Sequence, residues 1–211
     1  MNSINSIQTS EQALTRLING NQRFATGNLI YPNQSLDQRL ALVESQNPFA
    51  AILTCADSRV PQNIVFDQGL GDLFVIRVAG NIVDNTVLGS LEFAVIKLQV
   101  PLIMVLGHSN CGAVQATLKG DKLPGHLPNI ARAIQPAVES ISNQPGDPLE
   151  NAIRANAKMV ADQLCNSKPI LFSQVASGRV EICSKFKNRV ARLPTLPSYD
   201  LWKTPFIDTA S

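Results

Sequence analysis

Charge, histidine and long apolar runs are all scarce in this 211-residue chain, and each scarcity narrows the reading. Charged residues make up 16% of the sequence and hydrophobic residues 45%, a composition too apolar for a disordered chain and sufficient for a substantial core. The formal net charge of +2 gives no general attraction to nucleic acid or to an acidic membrane surface. One basic cluster, Lys185, Lys187, Arg189 and Arg192, is interrupted by apolar residues and reads as a solvated face. The greasiest stretch, Val87 to Leu106, carries Glu92, Lys97 and Pro101, so it does not form a membrane span of about twenty apolar residues. The opening residues Met1 to Gln8 have neither a basic segment nor an apolar one, so no secretory leader is expected. No internal repeat or low-complexity tract is present. There are 2 histidines and 4 cysteines, which without a leader read as reduced thiols of a cytoplasmic protein, open to metal rather than to disulfides.

Against that background two apolar runs stand out. Phe49 to Thr54 leads into Cys55-Ala56-Asp57-Ser58-Arg59, and Leu102 to Leu106 leads into Gly107-His108-Ser109-Asn110-Cys111-Gly112. Each reads as a buried strand that ends where metal-competent side chains begin. In open α/β sheets, ligands sit beyond the carboxyl ends of the strands. Two adjacent strand ends therefore bring Cys55, His108 and Cys111 to one point. His-x-x-Cys at a helix start lets both side chains reach one ion, and zinc accepts thiolate and imidazole in a tetrahedron. A closed structural site needs a fourth Cys or His nearby. None is in view, since His126 lies in a loop bounded by Pro and Gly and reads as an exposed residue, while Cys165 and Cys183 read as packing residues. The pattern therefore points to a three-ligand site with an open position. Asp57 and Arg59, two apart on an extended segment, can face the same way. On a surface such a pair is worth little. Beside a metal, a guanidinium can fix the carboxylate bidentately and aim one oxygen at the ion or its water.

The remaining pattern is strand–helix–strand. An N-terminal helix with Thr9-Ser10-Glu11 at its start repeats Ala13, Leu14, Leu17 and Ile18 and is expected to end at Asn19-Gly20. A second helical segment is expected over Asp37 to Ser45, a short helix over Val60 to Phe66, a strand over Leu73 to Ala79 and a helix over Asp84 to Leu98. Further helices are expected over Ala113–Leu118, Ile130–Ser142 and Pro148–Leu164, with a last strand over Arg179–Cys183. This order predicts an α/β fold, a mainly parallel β-sheet flanked by helices with an N-terminal helical arm. It divides one domain into a helical arm (1–45), an α/β core (46–183) and a C-terminal tail (184–211).

The two strand-end segments together resemble the paired signature of the β-class carbonic anhydrases. The resemblance extends through Asn21-Gln22-Arg23-Phe24, Asp67-Gln68-Gly69, Arg77-Val78-Ala79-Gly80-Asn81 and Gly89 to Ala94, and covers roughly residues 10–183. It implies that Cys55, His108 and Cys111 ligate Zn²⁺, and that Asp57 and Arg59 form the catalytic and gating dyad, with Asp57 a fourth ligand when the site is closed. It further implies that Gln46 hydrogen-bonds substrate and that Phe74, Ala79 and Phe93 wall the pocket. Family members often carry tyrosine where Phe93 stands, so a hydroxyl contribution is missing there. Members with an allosteric bicarbonate pocket carry tryptophan at the position of Ile52. The only tryptophan here is Trp202, so the chain resembles the non-allosteric type. The implied activity is reversible hydration of carbon dioxide to bicarbonate, in a homodimer or higher oligomer with no nucleic-acid or membrane partner. A hydrolase of carbon disulfide or carbonyl sulfide on the same scaffold, or a silent zinc-binding assembly protein, are the alternatives. The segment Cys183 to Asn188 departs from the family's glycine-rich continuation, Tyr199-Asp200-Leu201 is at most an echo of its last hairpin, and the tail reads as divergent.

Overall fold

A computed structural model describes residues 9–182. The expectations for the tail, for Cys183, for the basic cluster at 185–192 and for residues 1–8 lie outside the described residues. At the centre are four parallel strands in the order β2-β1-β3-β4: β1 (Ala50–Thr54), β2 (Leu73–Arg77), β3 (Leu102–Leu106) and the short β4 (Glu181–Ile182). Both β1 and β3 are buried at all five positions, as a strand covered on both faces must be. The register pairs Thr54 with Leu106, so the two chains leave the sheet side by side.

Helices cover both faces. On one, α4 (Asn85–Ile96), α7 (Pro148–Cys165) and α8 (Ile170–Ala176) pack Leu91, Ala94, Val160, Leu164 and Leu171 onto Leu53, Ile103 and Val105. On the other, α1 (Ser10–Ala25) presses Ala13 and Leu17 against Ala50, Ile52, Leu102, Met104 and Phe66. The amphipathic stripe of α1 is thus buried on its own sheet. Asp84 caps α4 through Val87 N, and Asp147 caps α7 through Leu149 and Glu150 N, each side chain satisfying amide groups that a helix start leaves unpaired.

Several boundaries differ from the sequence pattern, the last strand among them, which covers only Glu181–Ile182. Helix α1 runs past Asn19-Gly20 to Ala25. Gly20 does not stop the helix; it lets α1 approach the chain after the short helix α3 (Gln62–Val65), where a Cβ would lie 1.7 Å from the Phe66 carbonyl oxygen. The next residue, Asn21, donates from Nδ2 to the Val65 carbonyl at 3.0 Å, so two tertiary contacts replace the expected terminus. Helix α2 covers only Leu36–Ala41 and buries no residue. Helix α8 was not anticipated, and β2 ends at Arg77 because residues 79–81 turn in a single 3-10 turn. The remaining helices, α5 (Gly112–Lys119) and α6 (Leu127–Ser140), lie close to their expected spans. No helix among the described residues is long and apolar enough to cross a membrane.

Candidate metal centre

Cys55 is the first residue beyond β1, and His108 follows β3 by two residues. Between His108 and α5, Asn110 takes a left-handed φ of 55° and turns the chain so that Cys111 becomes the residue capping α5. The Cys111 thiol makes no cap hydrogen bond; it faces Cys55 Sγ at 3.9 Å. One ligand atom from each of Cys55, His108 and Cys111 lies within 4.8 Å of the others, and all three residues are buried, at 5%, 2% and 1% exposure. This is the only such group of three among the described residues.

The protonation pattern follows from the neighbours. His108 Nδ1 lies 3.0 Å from the Ser109 carbonyl, which can only accept, so Nδ1 carries the proton. Nε2 is then left as a lone pair, buried and without a partner. A buried acceptor with no donor is costly, and at the focus of two thiols it fits the binding of a cation. The two sulfurs respond to each other in opposite directions. A hydrogen bond from Cys111 lowers the Cys55 thiol to about 4, despite burial, with help from the Gly80 amide at 3.3 Å. Cys111 moves the other way, raised by its hydrogen bond to Cys55, by burial and by the Cys55 charge. A cation binding between the two sulfurs displaces their protons. Two thiolates and one imidazole suit a tetrahedral thiophilic cation and leave a fourth position open.

Beside that position stands Asp57. Arg59 grips its carboxylate from two directions, Nε to Oδ1 at 2.9 Å and Nη2 to Oδ2 at 2.8 Å, and the Arg59 amide adds a bond to Oδ1 at 2.9 Å. Those side-chain bonds hold the Asp57 carboxyl well below the usual carboxylate range, against a smaller opposing effect of burial. Oδ2 lies 4.0 Å from His108 Nε2, so the carboxylate borders the metal-facing space. Arg59 Nη2 also donates to the Asn110 carbonyl at 3.0 Å, which ties the β1 loop to the β3 loop.

Of the apolar residues, Phe74 packs against the core shared by α4, α7 and α8, whereas Cys55 and Cys111 lie in a separate cluster with Ile134 and Ile153. Phe74 on β2 and Phe93 on α4 stack with ring centroids 6.2 Å apart, and Phe93 remains 48% exposed. Ala79 directly precedes Gly80, whose amide reaches Cys55. Gln46 sits exposed in the loop between α2 and β1 and makes no hydrogen bond to another described residue. His126 is an exposed residue at the start of α6.

Some supporting residues were given no role by the sequence reading. Arg77, at the end of β2, donates from Nε to the Cys55 carbonyl at 3.2 Å and from Nη2 to the Asp57 carbonyl at 2.5 Å. Gln62, buried on α3, donates to Thr54 Oγ1 at 3.1 Å and to the Val60 carbonyl. Arg77 fastens the Cys55–Arg59 loop by its carbonyls, Gln62 ties together the residues that flank it, and a sequence pattern does not show which acceptor a side chain will reach.

Residues 50–188, more than half of the chain, match the protein family described as carbonic anhydrase. A carbonic anhydrase of Mycolicibacterium smegmatis is 48% identical over 126 residues, 58% of this chain and 61% of that protein. One of Pseudomonas aeruginosa is 35% identical over 158 residues, 67% of this chain and 70% of its own length. The solved structure of the β-carbonic anhydrase CcaA superimposes with a TM-score of 0.63 at 31% identity, covering 80% of this chain and 87% of that one. With the parallel sheet and its strand-end cysteines, these matches establish that the chain belongs to the β class of the carbonic anhydrase family.

Proposed function

We propose that the chain catalyses the reversible hydration of carbon dioxide to bicarbonate and a proton at a zinc ion held by Cys55, His108 and Cys111. The observation that carries this is the unpartnered His108 Nε2 at the focus of two buried thiols, with a bidentately held carboxylate at its open side. Zinc in such a site supplies Lewis acidity, which makes water nucleophilic near neutral pH.

The protein's own residues do the rest. Asp57 Oδ2 takes only one of its hydrogen bonds from Arg59 and keeps acceptor capacity toward the site. There it receives a hydrogen bond from the attacking water and orients a lone pair at carbon. Arg59 competes with the metal for the same carboxylate and so keeps the open position free. Arg77 holds the carbonyls of Cys55 and Asp57 and maintains their spacing. Carbon dioxide, linear and apolar, rests against Phe74, Ala79 and Phe93, and the Gln46 amide supplies a donor to its oxygen or to bicarbonate.

The half-exposed Phe93 and the exposed apolar residues Ile30, Tyr31, Leu36, Leu40 and Val43 support assembly as a homodimer or higher homo-oligomer that covers them. Thiolate ligands suit a reducing compartment, and we place the protein in the cytoplasm. Stopped-flow carbon dioxide hydration with zinc quantified in the same sample tests the reading. Turnover with close to one zinc per chain is expected. A fully loaded chain that hydrates no carbon dioxide, or that hydrolyses carbonyl sulfide or carbon disulfide instead, overturns it.

A further inference from the structure

On α7 every buried residue is apolar except one: Asn156, 1% exposed, lies among Ala152, Ile153, Ala157, Val160, Ala161 and Leu164. Its Nδ2 donates to the Gly80 carbonyl at 2.9 Å across 76 residues of chain. Gly80 adopts a left-handed φ of 69°, and a Cβ there would lie 2.7 Å from Ile134 Cδ1. Its amide points at Cys55 Sγ, 3.3 Å away. Two further buried polar atoms, Asn156 Oδ1 and Asn81 Nδ2, have no partner, so the helix retains an amide whose hydrogen bonding is only partly satisfied. An apolar residue of the same size would remove that cost if packing were all this position required.

We propose that Asn156 is a positioning residue for the metal centre: by holding the Gly80 carbonyl it fixes the Gly80 amide on the Cys55 sulfur and so sets how much charge that sulfur gives the metal. The inference rests on Cys55 being a metal ligand, as argued above. A hydrogen bond to a ligating sulfur withdraws density from it, and groups that orient ligands in this way affect affinity and electronic character together. When the Asn156 donor is lost, the turn at residues 79–81 loses its anchor on α7. The Gly80 amide then drifts from Cys55, and the sulfur becomes more electron-rich.

Cobalt substitution reads this directly. In the full-length chain loaded with Co²⁺, Asn156→Leu, which keeps the side-chain size on an apolar helix face, is expected to move the sulfur-to-cobalt charge-transfer band to longer wavelength. Zinc affinity should weaken roughly 10-fold. Asn156→Ala should give the same band shift although it packs differently. A band at the wild-type position in the Leu variant, whatever its stability, overturns the proposal and leaves the metal-site reading intact. A wild-type chain whose cobalt spectrum has no thiolate charge-transfer band overturns that reading, and this inference with it. Should neither variant fold, the wild-type protein loaded with ¹¹³Cd decides the matter. Scalar coupling between cadmium and the Gly80 amide proton through Cys55 Sγ is expected, and its absence removes the hydrogen bond on which the proposal stands.

Discussion

Two aspartates, ten residues apart in sequence, are each gripped by an arginine two different ways. Asp67, in the loop after α3, has a fully buried side chain. Its carboxylate accepts from Arg23 Nε at 2.5 Å, from Tyr31 N at 2.9 Å and from Ile30 N at 3.1 and 3.2 Å. Asp57, beyond β1, has an 18% exposed side chain, and its Oδ2 takes a single bond from Arg59 with the other side turned to the metal-facing space. Both carboxyls lie below the usual range. For Asp67, burial acts upward and is outweighed by Arg23 and the two amides; for Asp57, the Arg59 side chain dominates. The difference is saturation. Asp67 uses its acceptors to tie residues 23–31 to the core, so it is a structural fastener. Asp57 keeps one acceptor direction in reserve, and a reserved lone pair beside an open coordination position is what a catalytic carboxylate needs.

Each side of this contrast can be tested. The largest effect is expected from removing what Asp57 faces. Cys111→Ser leaves two ligands of three, and the variant should purify with far less than one zinc per chain and no measurable hydration. Full zinc occupancy would take Cys111 out of the site and leave the Asp57 lone pair unexplained. Next comes Asp67→Ala, which strands two amides and the partly covered Arg23. Denaturant unfolding should show a loss of about 3 kcal/mol, while turnover per bound zinc in the folded fraction stays at the wild-type value. A stable variant with impaired turnover would erase the distinction between the two aspartates.

Asp57→Ala is expected to do the reverse. Arg59 is half exposed, so stability should change by less than about 1 kcal/mol, whereas kcat for hydration should fall roughly 100-fold or more with zinc retained. Arg59→Ala should match it in activity, because the freed carboxylate then occupies the open position. Unimpaired turnover in the arginine variant would defeat the gating role. The smallest effect concerns acid. Because both carboxyls are depressed on folding, their contribution to stability is fully present above the unfolded value of about 3.9 and is lost as pH falls through the folded one. Wild type should therefore lose stability below about pH 4, and Asp67→Ala should lose less of it than wild type over the same interval. Parallel acid-unfolding curves for the two would show that Asp67 is not held as described.

The strands and the residues at their ends were legible because the signal is local. Phe49 to Thr54 and Leu102 to Leu106 are short apolar runs that stop at metal-competent side chains, and the parallel order follows from the helices between them. The end of α1 differs from the pattern for an equally local reason. Gly20 reads as a stop, and only the Phe66 carbonyl, 46 residues on, shows that it is a point of contact. Helix α8 and the short span of α2 likewise depend on what each segment packs against.

By itself, then, the sequence determined the fold class, the three residues that cluster as a candidate metal site and the Asp57–Arg59 pairing, since apolar runs, three-residue spacing and short-range charge pairing act within a few residues of chain. Only the tertiary structure decided that Arg77 fastens the Cys55 loop, that Asp67 is sealed while Asp57 stays open, and that Gly80 and Asn156 stand behind Cys55. Those outcomes depend on directional hydrogen bonds between segments 20 or more residues apart in the case of Arg77 and 76 in that of Asn156, and such directions exist only once the sheet has set the segments side by side.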